Sequence, residues 1–351
     1  MSEIPGHFPS QSPLTPATGS PMTWTELDWP ALDRLRDGFL HGGAAQGPYW
    51  QSESALASYD LTYGQRIAWK WDHVVHELRL RDWAPQARTI LDWGCGSGIA
   101  SRRVIEEFGA DRFDSLHLWD HEPLAADYAA RVAQAEFPQL NMTTVTPGFI
   151  HGDEPIGLLI ISHVLNELST EALTALRQVI ERSDAVLWVE PGTSDVSRSL
   201  GAVRDAVKEH FHVVAPCTHQ QSCPVLAEGN ERDWCHFFAP PPAEIFANPD
   251  WVKFGQRAGI DLRSLPYSFL ALDRRPLSTD AGLARILGRT HDFKPYVRFL
   301  NCDATGLEFV TLSKRNNKAF AKELTRTKRP LIYRWKRVEG VITDGVAHGV
   351  D

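Results

Sequence analysis

The chain has 351 residues, of which 43% are hydrophobic, enough for a full α/β core and a smaller second unit. Its formal net charge of -8 argues against a protein that coats nucleic acid over its whole surface, so RNA contact would require a local basic patch. No stretch approaches about 18 consecutive apolar residues, which predicts no membrane span. Because the first residues lack Lys and Arg, they do not resemble a signal or transit peptide, and we expect a cytoplasmic protein with reduced cysteines.

The composition of the N-terminal part predicts two segments with different structure. Residues 1–22 are rich in Pro, Ser and Thr and predict a disordered tail. Residues 23–84 predict a helical cap, because apolar residues recur there at helical spacing.

Residues 85–275 alternate apolar runs with helical stretches, which predicts an α/β domain with parallel strands and crossover helices. A Cys-rich insertion occupies residues 211–250. The remaining residues predict a small C-terminal β unit at 276–313 and a basic tail at 314–351. The predicted strands are 89–92, 115–120, 143–145, 157–162, 185–190 and 267–272, with helices at 99–109, 122–136, 166–182, 195–210 and 251–258 and β runs near 283–287, 296–301 and 307–313.

A glycine-rich loop follows the first predicted strand and precedes a helix, a context in which glycines let a ligand approach the backbone. Gly94, Gly96 and Gly98 form a GxGxG pattern that lacks the third glycine of the dinucleotide spacing, which favours S-adenosylmethionine over NAD. With the acidic residues described next, residues 85–200 resemble the class I methyltransferase superfamily.

Three carboxylates complete the predicted cofactor site. Asp120 ends the second strand and is expected to accept hydrogen bonds from both ribose hydroxyls. Asp92 is expected to orient the loop and the amino acid end of the cofactor. Asp153, after the third strand, is the candidate for an adenine-side contact.

The segment SHVLNELS at 162–169 follows the fourth strand, where the carboxyl ends of strands face a bound ligand. His163, Asn166 and Glu167 are therefore candidate catalytic residues that could take a proton from a methyl acceptor. The alternative is structural: Asn166 would cap the next helix and Glu167 would lie in its first turn.

Four cysteines of the second half predict a metal or cluster site. Thiolates bind soft metals well, and four of them complete either a zinc site or a four-iron cluster. His219 and His236 leave a mixed Cys/His zinc site open, and core packing is a further alternative. The four candidate ligands are Cys217, Cys223, Cys235 and Cys302.

An ordered set of segments makes the resemblance more specific. SHVLNEL, VEPGT (189–193), APCTH, CP, DWCHF and the late Cys302 resemble the ribosomal small-subunit methyltransferase-like family, which includes mitochondrial small-subunit assembly factors and their bacterial relatives. The resemblance covers about residues 50–315 and implies that the four cysteines hold a four-iron, four-sulfur cluster. It also implies association with small-subunit rRNA during maturation.

The basic tail is the predicted RNA contact, because its cations could neutralise phosphates and its Tyr333 and Trp335 could stack on unpaired bases. The alternative is a solvated, solubilising tail. The predicted RNA-binding residues are Lys314, Arg315, Lys318, Lys328, Arg329, Arg334, Lys336 and Arg337.

The sequence thus predicts an S-adenosylmethionine-binding, iron-sulfur-containing protein that acts on small-subunit rRNA, as a methyltransferase or as an assembly factor. The alternative is a small-molecule methyltransferase with a structural zinc. We expect a monomer without a DNA or membrane partner.

Overall fold

The computed structural model describes residues 22–41, 49–277, 282–326 and 331–348. Two of the predicted RNA-binding residues, Lys328 and Arg329, lie outside the described residues, as does nearly all of the predicted disordered tail. Within the described ranges, no helix is both long and apolar enough to cross a membrane.

The helical cap expected from the sequence is present. Its longest helix is buried on most of its surface, with both Trp69 and Trp71 inside the protein. The helix before it is capped by Ser52, whose hydroxyl accepts a hydrogen bond from the Ala55 N–H. The cap consists of α1 (Trp29–His41), α2 (Glu53–Tyr59), a π-helical turn (Asp60–Gly64) and α3 (Gln65–Leu80).

The central sheet has the predicted mostly parallel core. Within the described residues its strand order is β3-β2-β1-β4-β5-β8-β6, with β7 paired to β8. Strand β8 runs antiparallel between β5 and β6, the sheet arrangement of a class I methyltransferase, so the predicted fold class is confirmed. The strands are β1 (Thr89–Trp93), β2 (Ser115–Trp119), β3 (Asn141–Thr144), β4 (Ile156–Ser162), β5 (Ser183–Pro191), β6 (His212–Ala215), β7 (Phe237–Ala239) and β8 (Leu265–Asp273).

Strand β4 shows why the sheet is covered on both faces. Leu158 and Ile160 pack into one apolar core, and Leu159 and Ile161 pack into the other, because successive side chains of a strand point to opposite faces. The first core contains α3, α4 and α5, and the second contains α7 and α8. The helices of this domain are α4 (Ile99–Phe108), α5 (Pro123–Glu136), α6 (Pro147–Ile150), α7 (Thr170–Glu181), α8 (Ser194–Val207) and α9 (Pro249–Ala258).

The C-terminal unit is larger than predicted, and the basic segment is not a tail. Residues 318–347 supply a helix and two strands to a five-stranded antiparallel sheet with the order β11-β10-β9-β12-β13. The prediction of a tail was wrong because the charges lie on the exposed sides of these elements, whereas Phe320, Ile332 and Tyr333 are buried. The elements are β9 (Leu283–Asp292), β10 (Tyr296–Asp303), β11 (Gly306–Ser313), α10 (Lys318–Arg326), β12 (Ile332–Val338) and β13 (Val341–Ala347).

A buried ion pair joins the C-terminal sheet to the cap. Arg285 on β9 donates to both carboxylate oxygens of Glu77 on α3, with 2.7 Å between Arg285 Nη2 and Glu77 Oε2. The Arg285 guanidinium also lies 3.8 Å from the centroid of the Phe237 ring. Both charged side chains are almost fully buried, and Glu77 is compensated by Arg285 together with Arg81, which lies 3.0 Å from its carboxylate.

Candidate functional site

The glycine loop joins β1 to α4 in a conformation that requires its glycines. Gly94, Gly96 and Gly98 have φ angles of +69°, +52° and +74°, which favour glycine. A Cβ on Gly98 would lie 2.8 Å from the Ala129 Cβ, and one on Gly94 would lie 2.9 Å from Val164 Cγ1. The loop is therefore fixed by both its backbone conformation and its packing.

Asp120 lies beside this loop, as predicted. Its Oδ2 accepts a hydrogen bond from the Gly96 N–H at 2.9 Å, and its Oδ1 accepts one from the Glu122 N–H at 3.0 Å. Burial raises the pKa of Asp120 above its ordinary value, although the two N–H donors act in the opposite direction. The structure thus places this carboxylate next to the glycine loop at the carboxyl edge of the sheet.

Asp92 is completely buried under the loop. Its Oδ2 accepts a hydrogen bond from the Ser101 hydroxyl at 2.6 Å, and burial raises its pKa to about 7. Among the described residues, neither Asp92 Oδ1 nor Ser97 Oγ has a hydrogen-bond partner. These two polar atoms leave hydrogen-bonding capacity beside the loop, which fits a polar ligand.

Asp153 does not join this group. It is exposed and lies three residues before β4, where Arg182, which precedes β5, donates hydrogen bonds to the carbonyl oxygens of Glu154 and Ile150. This is the amino edge of the sheet, opposite the glycine loop. The predicted adenine contact is therefore not supported, because the chain after β3 returns to the other edge before Asp153.

The cap covers the glycine loop, which the sequence did not predict. A Cβ on Gly96 would lie 3.6 Å from the Trp50 ring, and one on Gly64 would lie 3.7 Å from Ser97 Oγ. Burial raises the pKa of the Tyr49 hydroxyl, with smaller contributions from Tyr59 and other nearby acidic groups. The segment around residue 50 thus forms one wall of the candidate cofactor site.

The three candidate catalytic residues lie in the turn between β4 and α7. His163 has a φ of +57°, and its Nε2 lies 3.0 Å from Lys70 Nζ. Burial, with the Lys70 charge, holds the pKa of His163 well below its usual value. The side chains of Asn166 and Glu167 are exposed. The protein around Glu167 still removes part of its solvent, and this desolvation, with the charge of Asp120, raises the pKa of Glu167 to about 7.

The alternative structural roles of Asn166 and Glu167 are wrong. Helix α7 begins at Thr170, three to four residues later than those roles require. Its cap is Ser169, whose hydroxyl accepts a hydrogen bond from the Ala172 N–H at 3.2 Å. Asn166 and Glu167 consequently remain available to a ligand.

Two buried residues complete this end of the site, and the sequence analysis missed both. Burial and, to a smaller extent, the Arg66 charge lower the pKa of Lys70 to about 7. The Glu190 carboxylate at the end of β5 accepts hydrogen bonds from the N–H groups of Val164 and Leu165, each at 3.1 Å. Lys70 could have been found only by its position on the apolar face of α3, and Glu190 by its place at a strand end.

The four cysteines are brought together from separate elements. Cys217, Cys223 and Cys235 line one pocket beside Arg204. Burial raises the pKa of the Cys235 thiol, and the charges of the other three cysteines, Cys302 of β10 among them, raise it further. All five cysteines of the chain are free thiols.

Fixed carbonyl groups and buried cations surround the cysteine cluster. Arg81 donates hydrogen bonds to the carbonyl oxygens of Val214 and Cys217, both at 2.9 Å, and to that of Pro216 at 2.8 Å. Arg204 donates to the carbonyl oxygen of Gln221 at 2.5 Å. These contacts hold the loop in place and put positive charge near a group of thiols that a metal would deprotonate.

Within the described ranges, the side-chain geometry does not by itself show a site for a zinc ion or for an iron-sulfur cluster. In the part of the chain that the structure describes, no three His, Cys, Asp or Glu side chains are arranged to hold one metal ion. Of the two histidines considered, His236 stacks on Trp234, with ring centroids 4.5 Å apart. His219 is buried, and burial lowers its pKa to about 4.

The predicted RNA-binding residues are distributed over the C-terminal sheet. Lys314 forms an ion pair with Asp292, and Arg337 forms one with Glu308 at 2.6 Å. The remaining described members, Arg315, Lys318, Arg334 and Lys336, are exposed. The structure thus keeps several cations at the surface, although two of them are committed to protein partners.

The predicted stacking of Tyr333 and Trp335 on bases is wrong. Tyr333 is 1% exposed, and its ring stacks on that of Trp335 with 5.0 Å between centroids. The Trp335 indole N–H donates to Asn301 Oδ1 at 2.7 Å. Both rings belong to the packing of the C-terminal sheet.

The family model described as mitochondrial small ribosomal subunit Rsm22 matches residues 73–321. No curated protein matches the chain.

Two solved structures to which the chain is similar are a methyltransferase and an rRNA methylase. Magnesium protoporphyrin IX methyltransferase from Synechocystis PCC 6803, solved with bound SAH, is 13% identical over 70% of this chain and 100% of its own, with a TM-score of 0.37. An rRNA methylase from Escherichia coli is 13% identical over 52% of this chain and 69% of its own, with a TM-score of 0.34.

Proposed function

Because the chain belongs to the family of the mitochondrial small ribosomal subunit protein Rsm22, we propose that it binds S-adenosylmethionine and acts on small-subunit rRNA. It does so either as a methyltransferase or as an assembly factor that uses the same fold. The observation that carries the proposal is that the matched residues, 73–321, contain both the glycine loop and all four clustered cysteines. The proposal includes a cytoplasmic location, where thiols stay reduced.

The cofactor part of the proposal rests on the carboxyl edge of the sheet. The three left-handed glycines keep the loop free of side chains that would block a ligand. Asp120 retains acceptor capacity beyond its two backbone hydrogen bonds and would receive the ribose hydroxyls. Asp92 and Ser97 would meet the amino acid end of the cofactor, because both have polar atoms without partners in the described protein.

The methyl-transfer part rests on the groups around the β4–α7 turn. The bound cofactor would supply an electrophilic methyl group, and the protein would orient the acceptor and receive its proton. Glu167 and Lys70, each with a pKa of about 7, can exist in the proton-accepting form at neutral pH. His163 would hold Lys70 in position through the 3.0 Å contact.

The cluster part rests on the chemistry of the donor set. Four thiols from three loop positions and one strand lie close enough for their charges to interact, and Arg81 and Arg204 would offset the charge of the deprotonated sulfurs. Cys217, Cys223, Cys235 and Cys302 would therefore hold a four-iron, four-sulfur cluster. A small-molecule methyltransferase with a structural zinc is the competing outcome.

The proposal is tested with purified immature small subunits and S-adenosylmethionine labelled in its methyl group. A methyltransferase should transfer label to the rRNA, and Glu167→Gln should reduce this transfer while leaving cofactor affinity within about twofold, because the side chain remains similar in shape. An assembly factor should bind both subunit and cofactor without transfer. A protein that binds neither the cofactor nor the subunit would contradict the proposal.

A further inference from the structure

The C-terminal unit has a recognisable topology. Three antiparallel strands are followed by α10 and two more strands, in the spatial order third, second, first, fourth, fifth. The edge strands β11 and β13 also approach each other, which closes the sheet around a common apolar core. This is the arrangement of the five-stranded OB barrel, in which the face of the second and third strands is the one that binds oligonucleotides or oligosaccharides.

A fold does not fix a function, so the ligand of this face has to be inferred from the side chains that are exposed on it. In this protein the second and third strands are β10 and β11. At one end, Leu300 and Cys302 pack toward the methyltransferase core, so this end is covered. At the other end, Arg298 pairs in register with Thr311, and both side chains are exposed. The open part of the face is therefore the half that lies away from the cysteine cluster.

An exposed aromatic ring borders this open half, where Phe309 pairs in register with Leu300. Phe309 is 54% exposed, an unusual position for a phenylalanine on a strand. The Arg298 guanidinium lies 4.4 Å from its ring centroid. An aromatic surface with an adjacent cation can stack a base and contact its phosphate.

The loop between β9 and β10 extends the same surface. Phe293 is 43% exposed, and its ring lies 4.8 Å from that of Tyr296. Lys314 holds the loop by pairing with Asp292 and donating to the Phe293 carbonyl oxygen. Lys294 at its tip is exposed. This loop corresponds to one of the two that border the ligand face of an OB barrel.

The charges of the surface favour a polyanion. Its acidic residues Asp292 and Glu308 are both paired with cations. By contrast, Arg298, Lys294 and Arg315 form no ion pair with any described residue. Exposed aromatic rings beside uncompensated cations suit a single-stranded nucleic acid better than a neutral oligosaccharide.

We propose that the outer face of β10 and β11, together with loop 293–295, binds single-stranded RNA. Bases stack on Phe309 and Phe293, and Arg298 and Lys294 contact phosphates. This inference rests on the proposed function for the nature of the nucleic acid, and it moves the RNA contact away from Lys314 and Arg337. Those two residues instead shape the surface through their ion pairs.

The test measures the binding of the full chain to a fluorescein-labelled oligouridine of about 12 nucleotides by fluorescence anisotropy. Phe309→Ala should weaken binding about 5- to 150-fold, the range expected for one lost stacking contact, and Phe309→Trp should preserve it. The matched control is Phe246→Ala, since Phe246 is 47% exposed on a turn of the other domain and should have no effect. Arg298→Ala should reduce the salt dependence by about one phosphate contact.

The inference would be overturned if the wild type did not bind the oligonucleotide, or if it bound single-stranded and duplex RNA equally well. It would also be overturned if Phe309→Ala bound as tightly as the wild type, or if Phe309→Ala and Phe246→Ala lost the same affinity. Calorimetric binding of S-adenosylmethionine and co-sedimentation with small subunits, measured on the same preparations, report separately on the proposed function. Loss of both of those activities with intact Phe309-dependent oligonucleotide binding would contradict the proposed function alone.

Discussion

Lys70 Nζ and His163 Nε2 lie 3.0 Å apart, and their contact joins the helical cap to the carboxyl end of the central sheet. Burial lowers the pKa of both groups, to about 7 for Lys70 and well below the usual value for His163, so the imidazole is held neutral and the amine can lose its proton near neutral pH. Ser162 Oγ lies 3.2 Å from the other ring nitrogen and receives the Trp71 indole N–H at 3.0 Å. This arrangement fixes a buried amine beside the candidate cofactor site.

The burial of Lys70 predicts a pH-dependent effect of Lys70→Met on stability. Between about pH 7 and 10.5, the unfolded chain retains a proton on Lys70 that the folded chain has lost, so the wild type becomes more stable as the pH rises. Met removes this dependence. The difference in the free energy of unfolding, Lys70→Met minus wild type, should therefore be more positive at pH 6 than at pH 9, by on the order of 2 kcal/mol. Urea unfolding at both pH values measures it, and an equal difference at the two would refute it.

Asp120→Asn should weaken cofactor binding about 10- to 100-fold, because the lost charge weakens hydrogen bonds to the ribose hydroxyls. Asp153→Asn is the matched control, since Asp153 is exposed at the opposite edge of the sheet and should leave the affinity unchanged. Isothermal titration with S-adenosylmethionine distinguishes the two. A larger effect at Asp153 would mean that the cofactor site has been assigned to the wrong edge.

Gly98→Ala should abolish cofactor binding and destabilise the protein. Its φ of +74° costs a non-glycine residue about 1–2 kcal/mol, and the close approach to Ala129 adds to that cost. Gly109→Ala provides the control, because Gly109 also has a positive φ. Apart from its two chain neighbours, no described residue has an atom within 4 Å of a Cβ added at Gly109. Thermal unfolding and cofactor titration of Gly98→Ala and Gly109→Ala should separate the effect of backbone strain, which both variants have, from the effect of the close packing at Gly98. Similar losses of cofactor binding would argue against the loop assignment.

Arg285→Met should lower the free energy of unfolding by about 3–5 kcal/mol, because it removes the cation that donates to both oxygens of the buried Glu77 carboxylate and leaves Arg81 as its remaining ion-pair partner among the described residues. The control, Arg88→Met, breaks an ion pair with Asp114 in which both side chains are more than half exposed, and it should cost less than about 1 kcal/mol. Urea unfolding measures both. Comparable losses would show that the buried pair does not stabilise the junction of the C-terminal sheet and the helical cap.

The sequence predicted the elements whose pattern is local. Strand β4 is an uninterrupted apolar run, and the three glycines mark the turn after β1, so the sheet and the loop were found together. The late strands β12 and β13 were missed because Arg334 and Lys336 occupy the exposed positions of a strand whose other side is buried.

The site was predictable only where chain position determines the sheet edge. Asp120 directly follows its strand and therefore lies at the carboxyl edge, whereas Asp153 follows a long return segment whose direction the sequence does not reveal. Lys70 was missed because a lysine within a helix usually lies in solvent. The approach of Cys302 to the other cysteines depends on how two sheets pack, which no local pattern encodes.

The most direct test of the central claim is the content of iron, acid-labile sulfide and zinc in the anaerobically purified full-length protein. The proposal predicts about four iron and four sulfide per chain, with a marked loss of both in Cys302→Ser, because that cysteine completes the ligand set. Buried Cys95 lies in the glycine loop, so Cys95→Ser should retain the iron and sulfide. A wild-type protein with one zinc per chain and no sulfide would contradict the claim.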